Sequence, residues 1–252
     1  MPSYQSYIIC GTPRSGSTLL CYLLEHAGCG QPDSYFRRQS IMGLARDLGV
    51  THDGDLHSTE FSRRYVDAVI REGRGGTGIF GLRVMYENLG EMCERLALLH
   101  PDAGSGRALI EAAFGRVLYI YLSREDKIAQ AISLMKAEQS GLWHITRDGG
   151  ELERTQSHLE PHYDGQRIGE IVRELEHDDA AWRAWFKTFG IDPLPLTYNG
   201  LSGDPHGGLA RVLDAHGMDS SNVSSIPITT GKLADRQSQD WSARFKAEST
   251  GA

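Results

Sequence analysis

The segment from Ser6 to Leu20 constrains the fold most, because its pattern predicts a buried strand, a turn of small residues and the start of a helix. The turn, Gly11-Thr-Pro-Arg-Ser-Gly-Ser-Thr18, has the two-glycine spacing of a phosphate-binding P-loop. Ser17 stands where ATPases and GTPases carry the lysine of that loop. The turn therefore indicates a phosphate ligand other than a nucleoside triphosphate whose γ-phosphate is cleaved.

The residues of this turn are suited to binding an anion. Glycine lets the backbone turn tightly and expose its N–H groups, and the N-terminus of the next helix adds free N–H groups with a partial positive charge. Ser15, Ser17 and Thr18 supply hydroxyls, and Arg14 supplies a forked, permanently charged donor. The alternative is an ordinary connection rich in Ser and Gly. The order strand, loop, helix favours the phosphate site.

Hydrophobic periodicity predicts strands that alternate with helices along the chain. The predicted strands cover residues 6–11, 79–85, 117–122 and 195–198. The predicted helices cover residues 17–27, 41–48, 59–72, 86–99, 126–140, 166–189, 205–216 and 235–247. This alternation implies an α/β fold with an open, mostly parallel sheet and helices on both faces.

No repeat or linker divides the chain, so we expect residues 1–252 to form a single domain. Residues 144–165 are polar and contain Gly149, Gly150 and Pro161. That composition is typical of a loop, and it makes this segment the candidate for a mobile lid over a binding site.

Charge and composition argue against several classes of protein. The net charge of −7 disfavours a general nucleic-acid binder, so a polyanionic ligand must be bound by local basic groups. No apolar run approaches the ~20 residues of a membrane span, and the run at 4–10 is too short for a signal peptide, so stable membrane insertion is not expected. The four cysteines lack metal-ligand spacing. We therefore expect no metal and a reduced, cytoplasmic compartment.

A second basic position follows the strand at 117–122. Arg124 comes just after that strand, and Ser133 lies on the next predicted helix. Ligands collect outside the carboxyl ends of parallel strands, so we expect Arg124 at the same sheet edge as the first loop, where it suits a second phosphate. The alternative is that Arg124 is a solvated charge and Ser133 a small packing residue. One phosphate can contact both only if the helix begins after Arg124, with Asp126 as its cap, or if the Arg side chain reaches along the helix.

The stretch Thr12-Pro-Arg-Ser-Gly-Ser-Thr-Leu-Leu20 resembles the 5′-phosphosulfate loop of sulfotransferases that use 3′-phosphoadenosine-5′-phosphosulfate (PAPS). Its Arg-Ser-Gly-Ser-Thr form is most similar to the bacterial Stf0-type branch, which includes trehalose 2-sulfotransferases. The resemblance implies a P-loop NTPase-like sulfotransferase fold and PAPS as co-substrate, without a metal. It implies transfer of the sulfonyl group to a hydroxyl of a carbohydrate or glycolipid acceptor. Members of this family are often dimers, so a homodimer is compatible with it.

The resemblance also implies roles for individual residues. The implied donor-binding residues are Thr12, Pro13, Arg14, Ser15, Gly16, Ser17 and Thr18 in the loop, Arg124 and Ser133 at the 3′-phosphate, Tyr198 beside the adenine, and Lys232 in a C-terminal segment that closes over the donor. That C-terminal segment could equally be a capped amphipathic helix. The implied catalytic residues include Arg14 at the leaving phosphate and Arg83 beside the sulfonyl oxygens.

The sequence departs from the family at the general base. Trehalose enzymes carry a catalytic Glu within Gly-Glu-Pro-Gln-Glu-Phe-Phe, and the matching segment, residues 30–36, places Ser34 at that Glu position. Asp33 is adjacent, but a one-residue offset directs its side chain elsewhere in an extended segment. His144 and Glu138, near the end of the helix that carries Ser133, are the other candidates for the base, or else ordinary polar residues of the surface.

Two other functions remain open at this stage. A nucleotide kinase or NTPase could use the same scaffold, but the chain lacks the loop lysine and has Ser123-Arg124 where a magnesium-binding Asp would help. A non-catalytic relative that binds PAPS or another anion is the second, and Ser34 in place of the catalytic Glu favours it.

Overall fold

In the computed structural model, which describes residues 4–51, 54–155, 159–231 and 235–250, a parallel sheet of four strands lies at the centre. The strands of the chain are β1 (Ser6–Gly11), β2 (Phe80–Met85), β3 (Val117–Ser123), β4 (Leu142–Ile145), β5 (Glu151–Arg154) and β6 (Leu194–Thr197). The central sheet has the order β2-β1-β3-β6, and β4 and β5 form a separate antiparallel hairpin.

Helices surround this sheet. They are α1 (Ser17–His26), α2 (Ile41–Asp47), α3 (Thr59–Arg74), α4 (Tyr86–Leu99), α5 (Arg107–Phe114), α6 (Lys127–Ser140), α7 (Gly165–Thr188), α8 (Tyr198–Gly203), α9 (Pro205–His216) and α10 (Arg236–Thr250). Short 3-10 helices cover Arg38–Ser40 and Val223–Ser225.

The side chains of β1 alternate between two cores, one on each face of the sheet. Ile8 and Cys10 pack in a cluster with residues of α2, α3, α4, α5 and α7. Tyr7 and Ile9 pack in a second cluster with residues of α1, α8 and α9. All six residues of β1 are buried, as expected for a parallel strand that is covered on both faces. The predicted α/β fold with a parallel sheet between two helical layers is confirmed.

The strand register brings the carboxyl ends of the sheet together. Gly11, the last residue of β1, pairs with Met85 of β2 and Leu122 of β3. Ser123, the last residue of β3, pairs with Thr197 at the end of β6. The loop after β1 therefore lies between the residues that follow β2 and β3, at the edge where ligands of open α/β sheets bind.

Three elements differ from the sequence prediction. The helix α5 was missed because only eight residues separate its flanking glycines, Gly106 and Gly115. Tyr198 begins α8 and does not end a strand, because the Thr197 side chain accepts a hydrogen bond from the Gly200 N–H and caps a new helix. The expected loop at 144–165 contains part of the β4–β5 hairpin, whose strands have only four residues each and are too short to show a hydrophobic alternation.

The end of β1 is joined to α7 by a hydrogen bond from the indole of Trp182. Trp182 is 1% exposed, and its Nε1 donates a hydrogen bond of 2.9 Å to the Gly11 carbonyl. The same ring stacks on Phe186, with ring centroids 5.4 Å apart. This helix therefore fixes the residue from which the phosphate-binding loop departs.

We predict that Trp182→Phe lowers the free energy of unfolding by about 1–3 kcal/mol, because it leaves the buried Gly11 carbonyl without its donor. Urea denaturation measures the loss. Trp185→Phe is the matched control on the same helix, since the Trp185 indole N–H has no hydrogen-bond partner among the described residues. Equal losses in the two variants would contradict a specific contribution of the hydrogen bond to Gly11.

Candidate functional site

The loop between β1 and α1 has a left-handed backbone at two positions. Arg14 has φ 63° and is the only non-glycine residue with positive φ in the described part of the chain. Gly16 has φ 91° and precedes α1 as its N-cap. A Cβ at Gly16 would lie 3.1 Å from Cδ2 of Tyr198, so both the backbone and the neighbouring ring favour glycine here. The unfavourable conformation of Arg14 must be maintained by its surroundings.

A buried glutamine and one arginine maintain it. The Nε2 of Gln130, on α6, donates to Thr12 Oγ1 at 2.9 Å and to the Pro13 carbonyl at 2.6 Å. The Nη1 of Arg124 donates to the Arg14 carbonyl at 3.1 Å. Sequence reasoning missed Gln130, because nothing in its type or spacing distinguishes it from a surface glutamine.

Arg14 and Arg124 lie together with Ser133 and Tyr198. The Nε of Arg14 donates to Ser133 Oγ at 3.0 Å, and its Nη1 donates to the Trp143 carbonyl at 2.7 Å. The guanidinium carbon of Arg124 lies 4.2 Å from the ring centroid of Tyr198. The structure thus brings together residues from three separate parts of the sequence.

The start of α6 makes this cluster possible. The Asp126 side chain accepts a hydrogen bond of 2.9 Å from the Ala129 N–H, and the helix begins at Lys127. The condition derived from the sequence, a helix that starts after Arg124 with Asp126 as its cap, is confirmed. Arg124 is consequently part of the loop edge and can face the same space as Ser133.

The two arginines form a cationic centre without a carboxylate. Within the described part of the chain they contact a hydroxyl, two carbonyl oxygens and an aromatic ring, and neither is ion-paired. Burial, and then the positive charge of Arg124, lowers the pKa of Arg14 to about 10, and burial lowers the pKa of Arg124. An anion bound between them would relieve this repulsion and stabilise both charges.

Ser15 is a further polar residue of the loop whose side chain lacks a partner among the described residues. Its side chain is fully buried, and its Oγ has no hydrogen-bond partner among the described residues. A buried hydroxyl without a partner is unusual in a native protein, and a bound ligand or water is a common reason for it. The loop therefore contains both unpaired positive charge and unused hydrogen-bonding capacity.

A second cluster forms around Arg83 of β2. Its Nε donates to Ser34 Oγ at 2.8 Å, its Nη2 donates to Asp33 Oδ1 at 2.8 Å, and its Nη1 donates to Thr18 Oγ1 at 3.0 Å. The Asp33 carboxylate also accepts from the Ser34 N–H at 2.7 Å. Arg83 therefore connects the segment after α1 with the first turn of α1.

His144, on β4, approaches the same threonine. Its Nε2 lies 3.0 Å from Thr18 Oγ1 and 3.5 Å from Glu153 Oε2 on the paired strand β5. Burial, and then the positive charges of Arg14 and Arg83, lowers the pKa of His144 to about 3, so the imidazole is neutral at physiological pH. Glu138, the other candidate from the sequence, lies 3.5 Å from Arg167 of α7.

The hairpin that carries His144 contacts the C-terminal part of the chain. Thr146 forms an antiparallel bridge with Thr230, and the Gly231 N–H donates to the Ile145 carbonyl at 2.9 Å. Lys136 of α6 pairs with Asp235 at 2.8 Å, just before α10. Lys232, predicted to contact the donor, lies outside the described residues.

These groups line one cleft of about 1330 Å³. Its lining includes Arg14, Arg83, Arg124, Ser133, His144 and Tyr198. Pockets for a single small ligand are usually about 300–1,000 Å³, so this cleft has room for two substrates.

The described residues contain no group of three or more His, Cys, Asp or Glu side chains that could hold a metal ion. Over the same ranges, no helix combines the length and the apolar character that a bilayer crossing requires.

The chain matches one family model and is similar to several known proteins. The family model described as Stf0 sulphotransferase matches residues 6–248. A trehalose 2-sulfotransferase of Mycobacterium tuberculosis is 29% identical over 266 residues, which cover 96% of this chain and 94% of that protein. A trehalose 2-sulfotransferase of Mycolicibacterium smegmatis is 25% identical over 265 residues, which cover 96% and 95%. The crystal structure of sulfotransferase STF9 from Mycobacterium avium covers 98% of this chain and 69% of that chain, with 14% identity and a TM-score of 0.43.

We predict that Gln130→Met lowers the free energy of unfolding by about 1–3 kcal/mol, because it removes the donor to Thr12 and Pro13 from a buried site. Urea denaturation measures the loss, and backbone amide NMR shifts of residues 12–16 report the change in the loop. Gln139→Met on the same helix is the control, because its side chain accepts a hydrogen bond from His162 away from the loop. Unchanged loop shifts in Gln130→Met would show that the loop keeps its conformation without this residue.

Proposed function

Because the chain belongs to the Stf0 sulphotransferase family, we propose that it transfers the sulfonyl group of PAPS to a hydroxyl of a carbohydrate or glycolipid acceptor. The observation that carries the proposal is the pair of arginines, Arg14 and Arg124, that share a cleft without a carboxylate partner. Trehalose is the first acceptor to test, because the two curated relatives reported above are named for it.

The chemistry of the cleft fits this donor. PAPS carries a phosphosulfate at one end and a phosphate at the other, and both are anions. In our proposal the loop residues Arg14, Ser15 and Thr18 bind the 5′-phosphosulfate, while Arg124 and Ser133 bind the 3′-phosphate. The unpaired charge of the arginines and the unmatched hydroxyl of Ser15 support this assignment. The ring of Tyr198, which packs against Gly16 and Arg124, provides an aromatic face for the adenine.

Sulfonyl transfer resembles phosphoryl transfer, in which positioning and charge stabilisation account for most of the catalysis. PAPS supplies an activated sulfonyl group when it is bound. In our proposal Arg14 neutralises the negative charge that develops on the leaving phosphate, together with the N–H groups at the start of α1. Arg83 adds positive charge near Thr18, although the ion pair with Asp33 offsets part of it.

A non-catalytic binding protein is the second candidate. Ser34 stands in place of the family Glu, and Asp33 is paired with Arg83, so neither is an obvious general base. This candidate and the enzyme both require donor binding, and they differ only in whether the sulfonyl group is transferred.

We predict that the protein binds adenosine 3′,5′-bisphosphate more tightly than AMP, which lacks the 3′-phosphate. Arg124→Gln should weaken bisphosphate binding about 10-fold or more, because a hydrogen bond between charged groups is lost, and should leave AMP binding nearly unchanged. Calorimetric titration measures both affinities. Arg116→Gln is the matched control, because Arg116 lies at the opposite end of β3. Equal affinities for the two ligands in the unmutated protein would exclude the donor assignment.

We predict that ³⁵S-labelled PAPS transfers its label to trehalose in the presence of the protein. Arg14→Ala should lower kcat about 100-fold or more, because a donor to the developing charge is lost. Arg116→Gln should retain the activity. If the bisphosphate binds but no label reaches trehalose, a trehalose sulfotransferase is excluded, and a panel of oligosaccharides and glycolipids then separates another acceptor from a non-catalytic binder.

A further inference from the structure

We infer that His144 is the general base of this protein and accepts the proton of the acceptor hydroxyl at Nε2. This inference rests on the proposed function and adds to it the residue that neither the loop nor the segment after α1 supplies. It stands on the hydrogen bonds that join His144 to Thr18 and Thr18 to Arg83, and on the one from Arg14 to the carbonyl of the neighbouring Trp143.

The segment expected to supply a base, residues 30–36, is already hydrogen-bonded to Arg83. Arg83 donates to both Ser34 Oγ and Asp33 Oδ1, and the same carboxylate oxygen accepts the Ser34 N–H. A carboxylate that is paired with a guanidinium is a weak proton acceptor, because protonation would break the ion pair. A serine hydroxyl is not a base near neutral pH.

His144 is instead presented as a hydrogen-bond acceptor. Arg83 can only donate, so Thr18 Oγ1 accepts from it and retains its own proton to donate. In the tautomer with hydrogen on Nδ1, Thr18 donates this proton to Nε2 of His144. The hydrogen bonds of Arg83 and Thr18 are then consistent in direction, and Nε2 carries the lone pair that a general base needs.

The position of His144 relative to the loop is fixed on two sides. The carbonyl of its neighbour Trp143 accepts a hydrogen bond from Arg14, which we assign to the leaving phosphate. Its own ring contacts Thr18 in the first turn of α1. The imidazole therefore lies beside the part of the loop where the phosphosulfate is proposed to bind, and it lines the cleft.

The proposed step is transfer of the sulfonyl group with removal of the acceptor proton. The acceptor oxygen forms a bond to sulfur, and the bond from sulfur to the oxygen of the 5′-phosphate breaks with its electron pair remaining on that phosphate. The acceptor proton moves to His144 Nε2. When PAPS is bound, the Thr18 hydroxyl can donate its hydrogen bond to an anionic oxygen of PAPS. This leaves Nε2 of His144 free for the hydroxyl of the sulfonyl acceptor. Glu153, 3.5 Å from the same nitrogen, then stabilises the imidazolium as a positioning residue.

The surroundings of His144 make its pKa depend on whether PAPS is bound. Burial disfavours the imidazolium most, Arg14 from the loop and Arg83 from β2 disfavour it further, and Glu153 from β5 favours it. Anionic groups bound at the loop would offset Arg14 and Arg83. We therefore expect the pKa of His144 to rise when the donor site is filled, toward the range in which a general base is effective.

The first test is an NMR titration of the protein with ¹³C-labelled histidine. We expect adenosine 3′,5′-bisphosphate to raise the pKa of His144 by about one unit or more, because its anionic phosphates approach the two arginines. His144→Gln assigns the resonance. His26 is the internal control, because its exposed ring contacts only the Tyr22 carbonyl of its own helix among the described groups. If the bisphosphate binds and the pKa of His144 does not move, the inference is wrong.

The second test is kinetic. His144→Gln should lower kcat about 100-fold or more and leave the KM for PAPS nearly unchanged, because a general base contributes in this range and the donor contacts remain. In the unmutated protein kcat should fall as the pH falls through the pKa of donor-bound His144, because the imidazolium cannot accept a proton. The variant should lose this acidic limb. His26→Gln should keep the unmutated rate and pH profile.

The outcomes separate this inference from the proposed function. If neither the unmutated protein nor His144→Gln binds the bisphosphate, the proposed function fails. If both bind it and His144→Gln transfers sulfonyl groups at the unmutated rate with the unmutated pH profile, the base assignment alone is overturned. Where trehalose is not an acceptor, the NMR titration decides the assignment by itself.

Discussion

The strand β1 pairs in parallel with β2 on one side and β3 on the other, and Gly11 lies opposite Met85 and Leu122. This register determines where the candidate site can form. Because the three strands end at one level, the loop after β1, the side chain of Arg83 from β2 and Arg124 after β3 reach the same space. The indole of Trp182 and the amide of Gln130 then fix the path of the loop. The site therefore depends on backbone pairing first and on two buried polar side chains second.

The electrostatics of the cleft differ from those of the surrounding core. Elsewhere in the described structure buried charges are matched, as in the pairs Lys127–Asp179 and Arg95–Glu91. In the cleft, Arg14 and Arg124 face each other without a carboxylate. Leaving buried cations unpaired costs stability in the absence of a ligand, and a bound polyanion would recover that free energy. A protein with a net charge of −7 can bind such a ligand because its positive charge is concentrated at one place.

Much of this arrangement can be predicted from the sequence, because it depends on patterns of neighbouring residues. The periodicity of β1, β3 and α6 predicts the central strands and the helix, and Asp126 indicates where that helix begins. The role of Gln130 could not be predicted, because its partners lie more than a hundred residues away. The hairpin of β4 and β5 could not be predicted either, since its strands have only four residues each and are stabilised by pairing and by the bridge to Thr230.

The position of His144 shows why the site could not be predicted completely from the sequence. The sequence offers two equal candidates for the base, Glu138 near the end of α6 and His144 just beyond that helix. The hairpin turns His144 toward Thr18, whereas Glu138 lies near Arg167 on α7. Burial weakens His144 as a base, and the charges of Arg14 and Arg83, which the donor would neutralise, weaken it further. Donor binding and proton transfer would thus both depend on Arg14 and Arg83. His144 would be a weak base in the empty site and a stronger base when the donor is bound.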